Sequence, residues 1–176
     1  LNLIFDNLDY KVEFPTNSKE YATVNLTDTL LILLYTGVRI GELLAIKCED
    51  VHLKERIINV RGTKTENADR IVPIHKNLIP ILEKRMNGEY LIEHERPVTY
   101  LNYKRHFFDQ FMKKLGLHQT PHAFRHTFIS LMDESGVTAD SVVLKRIVGH
   151  ANKSVTEHYT HVETQRLIEA IDKLNL

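Results

Sequence analysis

The sequence predicts an α+β fold: a mostly α-helical single domain with a small antiparallel β-sheet or hairpin. Two alternating runs, ERIINVRG and DRIVPI, are separated only by the polar segment TKTENA; alternation with period two reads as strands, and a short polar link between them as a hairpin. The last hundred residues instead carry helical spacing, punctuated by glycines that stop helices. A chain of 176 residues with 43% hydrophobic content suits one domain with a substantial core.

Taken in order, the chain as far as Asn25 is mixed and weakly patterned, with Pro15 and Asn17 as turn signals, and its first 20 residues receive no firm assignment. In NLTDTLLILLYTG, Thr27 is expected to cap a helix whose body is 30–35 and whose end is Gly37. RIGELLAI reads as a second helix with Arg39 in its first turn and Ile40, Leu43 and Leu44 on its apolar face. The hairpin follows, with Lys64 near its tip and Arg61 and Arg70 as further basic residues on its strands. KNLIPILEKRM is amphipathic, with Pro80 distorting or starting its helix. YLNYKRHFFDQFMKKLG reads as four turns ending at Gly116, PHAFRHTFISLMDESG as a helix opened by Pro121, and DSVVLKRIVGH as a shorter one closed by Gly149. TQRLIEAIDKLNL places Leu167, Ile168, Ile171 and Leu174 on one side of a small terminal helix, a stripe that either folds back on the domain or docks on a neighbour.

No apolar run approaches the roughly 20 residues of a membrane span, so a soluble protein with no membrane partner is expected. A single cysteine, Cys48, excludes an internal disulfide, and without a CxxC pair no cysteine-based zinc site is expected; a reducing compartment follows, with Cys48 serving as packing. The first residue is Leu1, so the chain is expected to be part of something longer. Net charge is zero, yet residues 61–125 carry 12 Lys and Arg against 7 Asp and Glu, while both flanks are acidic. A basic middle third is the footprint a polyanion needs, although an ordinary mixed surface would look similar.

Several polar residues stand where the local pattern would accept others: Arg39, Lys64, the pair His122 and Arg125, and His150 after a glycine. His122 and Arg125, three apart at a helix start, are expected to project from one face, where free N–H groups suit an anion. Either residue alone would more commonly be a cap or an ion-pair member. HAFRH has the histidine spacing of a zinc helix but holds Ala123 where a hydrolytic motif needs Glu, and Arg125 would set a cation against the metal. In EHYTHV, His158 and His161 share a helical face without a carboxylate or thiolate to complete a site, and Tyr159 lies on another face. There is no phosphate-gripping glycine loop, no G-x-S-x-G elbow and no paired acidic cluster, so phosphate chemistry here is expected to need neither metal nor nucleotide, and no cofactor. Two guanidiniums and an imidazole can clamp the spread charge of a phosphodiester transition state. A lysine on a hairpin can protonate the leaving alkoxide, and a tyrosine beside arginines is a better oxyanion than serine.

The chain resembles the catalytic domain of tyrosine recombinases, the phage-integrase family, in the order and context of these pieces: TGVRIGELLAI with Arg39, GTKTENADRIVPI with Lys64, HAFRHT with His122 and Arg125, and VGHANKSVTEHYTHV with His150 and Tyr159. The resemblance spans residues 30–162; on it the whole of 1–176 is one catalytic domain, with 1–25 a poorly matched leading segment and 163–176 a tail helix. It implies that Tyr159 attacks a DNA phosphate to give a 3′-phosphotyrosyl link. Arg39, Arg125 and His150 would hold the non-bridging oxygens, with His122 bonding the phosphate or accepting the tyrosyl proton and Lys64 as general acid. Glu42, one turn after Arg39, would support the arginine or a neighbouring histidine, against the plainer reading of a solvent-facing carboxylate. The implied partner is double-stranded DNA at a recombination or attachment site, bound by a homotetramer, with the isolated piece as a monomer; the setting is the cytoplasm of a bacterium or phage host. A type IB topoisomerase-like strand transferase, a non-catalytic DNA-binding module and, as an outsider, a metalloprotein are the competing readings.

Overall fold

The computed structural model describes residues 2–7, 11–15, 21–62, 69–92, 99–149 and 161–176, with the backbone alone at 11–15 and 21–25. A short helix α1 (Asn2–Phe5) precedes a two-stranded antiparallel pair, β1 (Lys11–Pro15) and β2 (Tyr21–Asn25), registered from Lys11 opposite Asn25 to Pro15 opposite Tyr21. β2 runs directly into α2 (Leu26–Thr36). Thr27 is therefore inside the helix rather than its cap, and its buried hydroxyl has no partner among the described residues. The helical apolar run of α2 is buried on nearly every side, with Leu30, Ile32, Leu33 and Leu34 all sealed, and α2 packs against α7 (Pro121–Glu134).

Gly37 ends α2 in the left-handed region, φ +63°, where L side chains are strained. The close approach of α7 adds a second requirement, because a Cβ at Gly37 would lie 2.2 Å from Cδ1 of the buried Phe128. The tight turn delivers the chain into α3 (Ile40–Leu43), which is a single turn rather than the longer helix expected of RIGELLAI. Arg39 stands at its N-cap with extended backbone, one position before the helix.

The three-stranded antiparallel sheet follows in the order β3 (Val51–His52), β4 (Ile57–Val60), β5 (Arg70–Pro73). The hairpin read from alternation is β4–β5, with Ile57 opposite Pro73 and Val60 opposite Arg70. Its connection from 63 to 68, which includes Lys64, lies outside the described residues. A short 3₁₀ turn, Lys76–Leu78, leads into α4 (Ile79–Glu83), with Pro80 in the first turn where its missing N–H costs nothing. The four expected turns of YLNYKRHFFDQFMKKLG form one continuous run in three parts: α5 (Tyr100–Tyr103), a π-helical segment (Lys104–Phe108) and α6 (Asp109–Lys114). Tyr103, Phe107, Phe108 and Phe111 all face the core from this run, and Phe108 meets Phe124 of α7 edge to face. α7 begins at Pro121, and α8 (Val142–Val148) ends at Gly149 with φ +76°.

The terminal helix α9 (His161–Ile171) folds back on its own domain and packs against β5 and α8. Leu167, Ile168, Ile171 and Leu174 are buried there, so the apolar stripe closes this chain's own core rather than waiting for a neighbour. Arg56, in the β3–β4 turn, latches the end of the helix: it donates to both Asp172 carboxylate oxygens and to the Ile74 carbonyl. Its φ of +56° is left-handed, a strain that the latch offsets. Cys48 is buried, its thiol against the Arg85 carbonyl. Among the described residues no helix is long and apolar enough to cross a membrane.

Gly37→Ala should destabilise the chain by about 2–4 kcal/mol, the sum of a left-handed Cβ penalty and overpacking against Phe128. Urea denaturation measures this; a loss below about 0.5 kcal/mol, the range of a neutral surface change, would show that the turn is not so constrained.

Candidate functional site

Five segments meet at one place: the turn after α2, α3, the start of β5, the N-terminal part of α7 and the last turn of α8. The side chains they bring together are Arg39, Glu42, Arg70 and Arg125. Glu42 is the centre. It is 5% exposed, and both of its oxygens are used twice. Oε1 accepts from Arg39 Nη1 at 3.0 Å and from Arg70 Nη1 at 2.9 Å; Oε2 accepts from the Arg39 backbone N–H at 2.7 Å and from Arg70 Nη2 at 2.8 Å. The local reason is a capping geometry: with Arg39 at N-cap, the residue three later reaches back to its backbone N–H, as the glutamate of a capping box does. Burial alone would raise the Glu42 carboxyl, but the hydrogen bonds and charge of Arg70, with the backbone N–H and charge of Arg39, overcome it and hold the group at about 2.

Arg39 is the exposed member, its side chain 45% open to solvent while one edge is held by Glu42. Arg125 is the buried one, at 2% exposure. It donates through Nη1 to the Gly37 carbonyl at 2.7 Å and through Nη2 to the Val148 carbonyl at 2.5 Å, tying α7 to the α2 turn and to the end of α8. Burial, then the positive charges of Arg39 and Arg70, lower its pKa to about 10, with Glu42 opposing. The expectation that His122 and Arg125 project together is met only in part: Arg125 turns inward and His122 stays exposed, its ring edge-on to His126 at 4.7 Å between centroids. Partial burial, the His126 ring and the charges of Arg125 and Arg39 hold the His122 imidazole below its ordinary value, so the neutral ring is favoured near neutrality.

Arg70 is the residue that sequence reasoning passed over, noting it only as a further cation of the hairpin. It is 4% exposed at its side chain and makes the bidentate pair with Glu42, while its Nε–H donates to the Ile147 carbonyl at 2.9 Å. A signal existed: in RIVPI the inward strand positions are Arg70, Val72 and Ile74, and an arginine in an apolar register requires an anion in the core.

Lys64, His150, His158 and Tyr159 lie outside the described residues, so the structure brings together Arg39, Glu42, His122 and Arg125 of the predicted set and describes no geometry for the others. His161 opens α9 and is exposed. Among the described residues no three His, Cys, Asp or Glu side chains gather as metal ligands.

Two buried arginines, an exposed third and one carboxylate give this cluster more positive than negative charge, in a helical domain with a small antiparallel sheet. The phage integrase family model matches residues 2–166, and the chain belongs to that family. It is 37% identical over 167 residues to tyrosine recombinase XerA of Pyrococcus horikoshii, covering 86% of this chain and 56% of that protein. It is also 31% identical over 189 residues to tyrosine recombinase XerC of Thermodesulfovibrio yellowstonii, covering 97% and 61%. Among solved structures, it is similar to the integrase from mycobacterium phage Brujita (TM-score 0.67, 26% identity, 84% of this chain and 50% of that one). A second is the XerA recombinase crystal structure (TM-score 0.56, 29% identity, 86% and 53%). The chain thus spans little more than half the length of these curated relatives.

Ionised Glu42 contributes stability that depends on pH. Its folded pKa of about 2 lies below the ordinary 4.5, so the unfolded chain binds the extra proton. The contribution, about 3 kcal/mol, is fully present above the ordinary value and disappears as pH falls to the folded one. We expect Glu42→Gln, which leaves buried Arg70 without its anion, to lose about 3–5 kcal/mol at pH 7. It should also flatten the stability change between pH 5 and about pH 2 seen by denaturant titration of the unsubstituted chain. Equal pH slopes in the two proteins would contradict the assignment.

Proposed function

We propose that this chain is the catalytic part of a site-specific DNA recombinase that cuts and rejoins strands through a covalent 3′-phosphotyrosyl intermediate, in the integration or excision of a phage or other mobile element. The observation that carries the reading is the arginine pair: exposed Arg39, oriented by Glu42, and buried Arg125, near enough to feel its charge, support one anion site. Spread negative charge on a phosphodiester in transition is what such a preorganised pair stabilises. Membership of the integrase family and the tyrosine recombinases among its relatives support the same reaction class.

By role, Tyr159 attacks the phosphorus, the P–O5′ bond breaks as the 5′-oxygen leaves with a proton from Lys64, and the phosphate keeps its 3′-ester while the phenolic oxygen replaces its 5′-ester. Religation is the reverse, with the 5′-hydroxyl attacking and the tyrosine leaving. Arg39, Arg125 and His150 hold the non-bridging oxygens. His122, kept neutral by its surroundings, bonds the phosphate or accepts the tyrosyl proton. The assembly is a homotetramer on two duplexes, and the apolar face of α9 is already covered in each protomer.

The test is a nicked duplex carrying candidate sites, incubated with excess chelator and resolved under denaturing conditions. The unsubstituted chain is expected to yield a denaturant-resistant protein–DNA adduct and Tyr159→Phe none; an adduct of equal yield from Tyr159→Phe would overturn the nucleophile. Two binding measurements accompany it. Affinity for duplex DNA should fall steeply between 50 and 200 mM salt, roughly tenfold or more, because released counterions dominate phosphate contacts. Filling the anion site should also cancel the repulsion from Arg39 and Arg125 and raise the His122 titration midpoint, read by NMR; a midpoint that DNA leaves in place would put the phosphate elsewhere.

A further inference from the structure

Arg70 touches no phosphate in the reading above, yet it joins Glu42 to the end of α8. We propose that Arg70 is a positioning residue for the transesterification: it fixes the plane of Glu42, and through it Arg39, while clamping the turn that leads into His150. The proposal rests on the recombinase reading and adds to it a part assigned to none of the six catalytic positions.

Three observations carry it. The first is the sharing of Glu42. Each carboxylate oxygen accepts one Arg70 nitrogen and one Arg39 donor, at 2.7–3.0 Å. Two parallel bonds from a planar fork fix the direction of a carboxylate, which a single ammonium does not, so the fork at Arg70 sets where Arg39 points. The second is the grip on α8. Arg70 Nε–H donates to the Ile147 carbonyl, and the next carbonyl, Val148, takes Arg125. A Cβ built on Gly149 would stand 3.2 Å from Cδ, Cζ and Nε of Arg70, so this glycine lies directly over the guanidinium. Gly149 therefore has two reasons to be glycine, its φ of +76° and the cation beneath it, and it is the residue before His150.

The third is the burial of the pair. Arg70 and Glu42 are 4% and 5% exposed, and Val72 and Ile74 occupy the neighbouring inward positions. Replacing a buried ion pair by apolar side chains of similar volume is often neutral or stabilising, so stability gives little reason for a pair here. Orientation does: the pair holds the exposed arginine just before α3, the second strand of the hairpin and the end of α8 in one frame. Because Arg70 opens β5 opposite Val60, the same contact anchors the hairpin at the end from which the connection containing Lys64 departs.

The experiment uses the 176-residue chain with Arg70→Lys, on a nicked duplex in excess chelator. It reads the single-turnover rate of Tyr159 adduct formation at saturating DNA, the DNA affinity, the melting temperature and the ¹⁵N NMR signal of the Arg39 backbone N–H, which donates to Glu42 Oε2. Arg70→Lys is expected to melt as a folded protein and to bind DNA within about twofold of the parent. Its adduct should form on the order of tenfold to a hundredfold more slowly, the scale on which a misplaced catalytic group costs rate, and the Arg39 signal should lose its exchange protection. A parental rate with an unchanged Arg39 signal would overturn the proposal. If Arg70→Lys does not fold, the double variant Arg70→Met, Glu42→Leu keeps the volume without the charges and carries the same test; a parental rate in it overturns the proposal equally. If the unsubstituted chain forms no Tyr159-dependent adduct, the recombinase reading falls, and the Arg39 signal alone decides the role of Arg70.

Discussion

An ionised carboxylate buried between two arginines is the constraint around which this site is arranged. Glu42 stays charged at 5% exposure only because Arg70 meets it with two nitrogens and Arg39 with a backbone and a side-chain donor. Removing either cation would leave a buried charge to be neutralised, at a cost of several kcal/mol. The arrangement thus commits three elements, α3, β5 and α8, to one relative position, since Arg70 also holds the Ile147 carbonyl. Arg125 commits a fourth, α7, through carbonyls of Gly37 and Val148.

The electrostatics follow from the count. Three guanidiniums stand against one carboxylate: burial, then the charges of Arg39 and Arg70, lower Arg125 to about 10, and partial burial with the neighbouring positive charges holds His122 below the ordinary histidine value. A site with surplus positive charge, fixed donors and little freedom to relax is suited to an anion whose charge grows along the reaction, because the reorganisation has been completed during folding. The rest of the fold keeps that frame rigid. Gly37 permits the turn that presents its own carbonyl to Arg125, Phe128 seals the space above it, and α9 is latched over β5 by Arg56 and Asp172.

Much of this was legible in the sequence. The hairpin showed in the alternation of ERIINVRG and DRIVPI, the helices in their spacing and glycine stops, and Arg39, Glu42, His122 and Arg125 in the motifs that carry them. What escaped had physical causes. The leading hairpin β1–β2 went unassigned because KVEFP and YATVN are short and interleaved with polar residues, leaving Pro15 and Asn17 as turn signals without strands. Thr27 looked like a cap because a β-strand running directly into a helix leaves no capping signature. Arg39 and its helix were displaced by one position because α3 is a single turn, too short for periodicity to fix its start. Arg70 was the largest omission: periodicity assigns faces, but only the folded register says that an inward arginine from β5 meets a glutamate 28 residues earlier.

The central claim is that Arg39 and Arg125 are two halves of one phosphate site, with Arg70 behind them engaged by Glu42. Its most direct test is a titration of ¹⁵N-arginine-labelled chain with a short duplex, following each guanidinium Nε–H. The account predicts that the Arg39 and Arg125 signals move together in one saturable step while Arg70 stays in place. Saturation with movement confined to surface arginines such as Arg61 and Arg105 would contradict it.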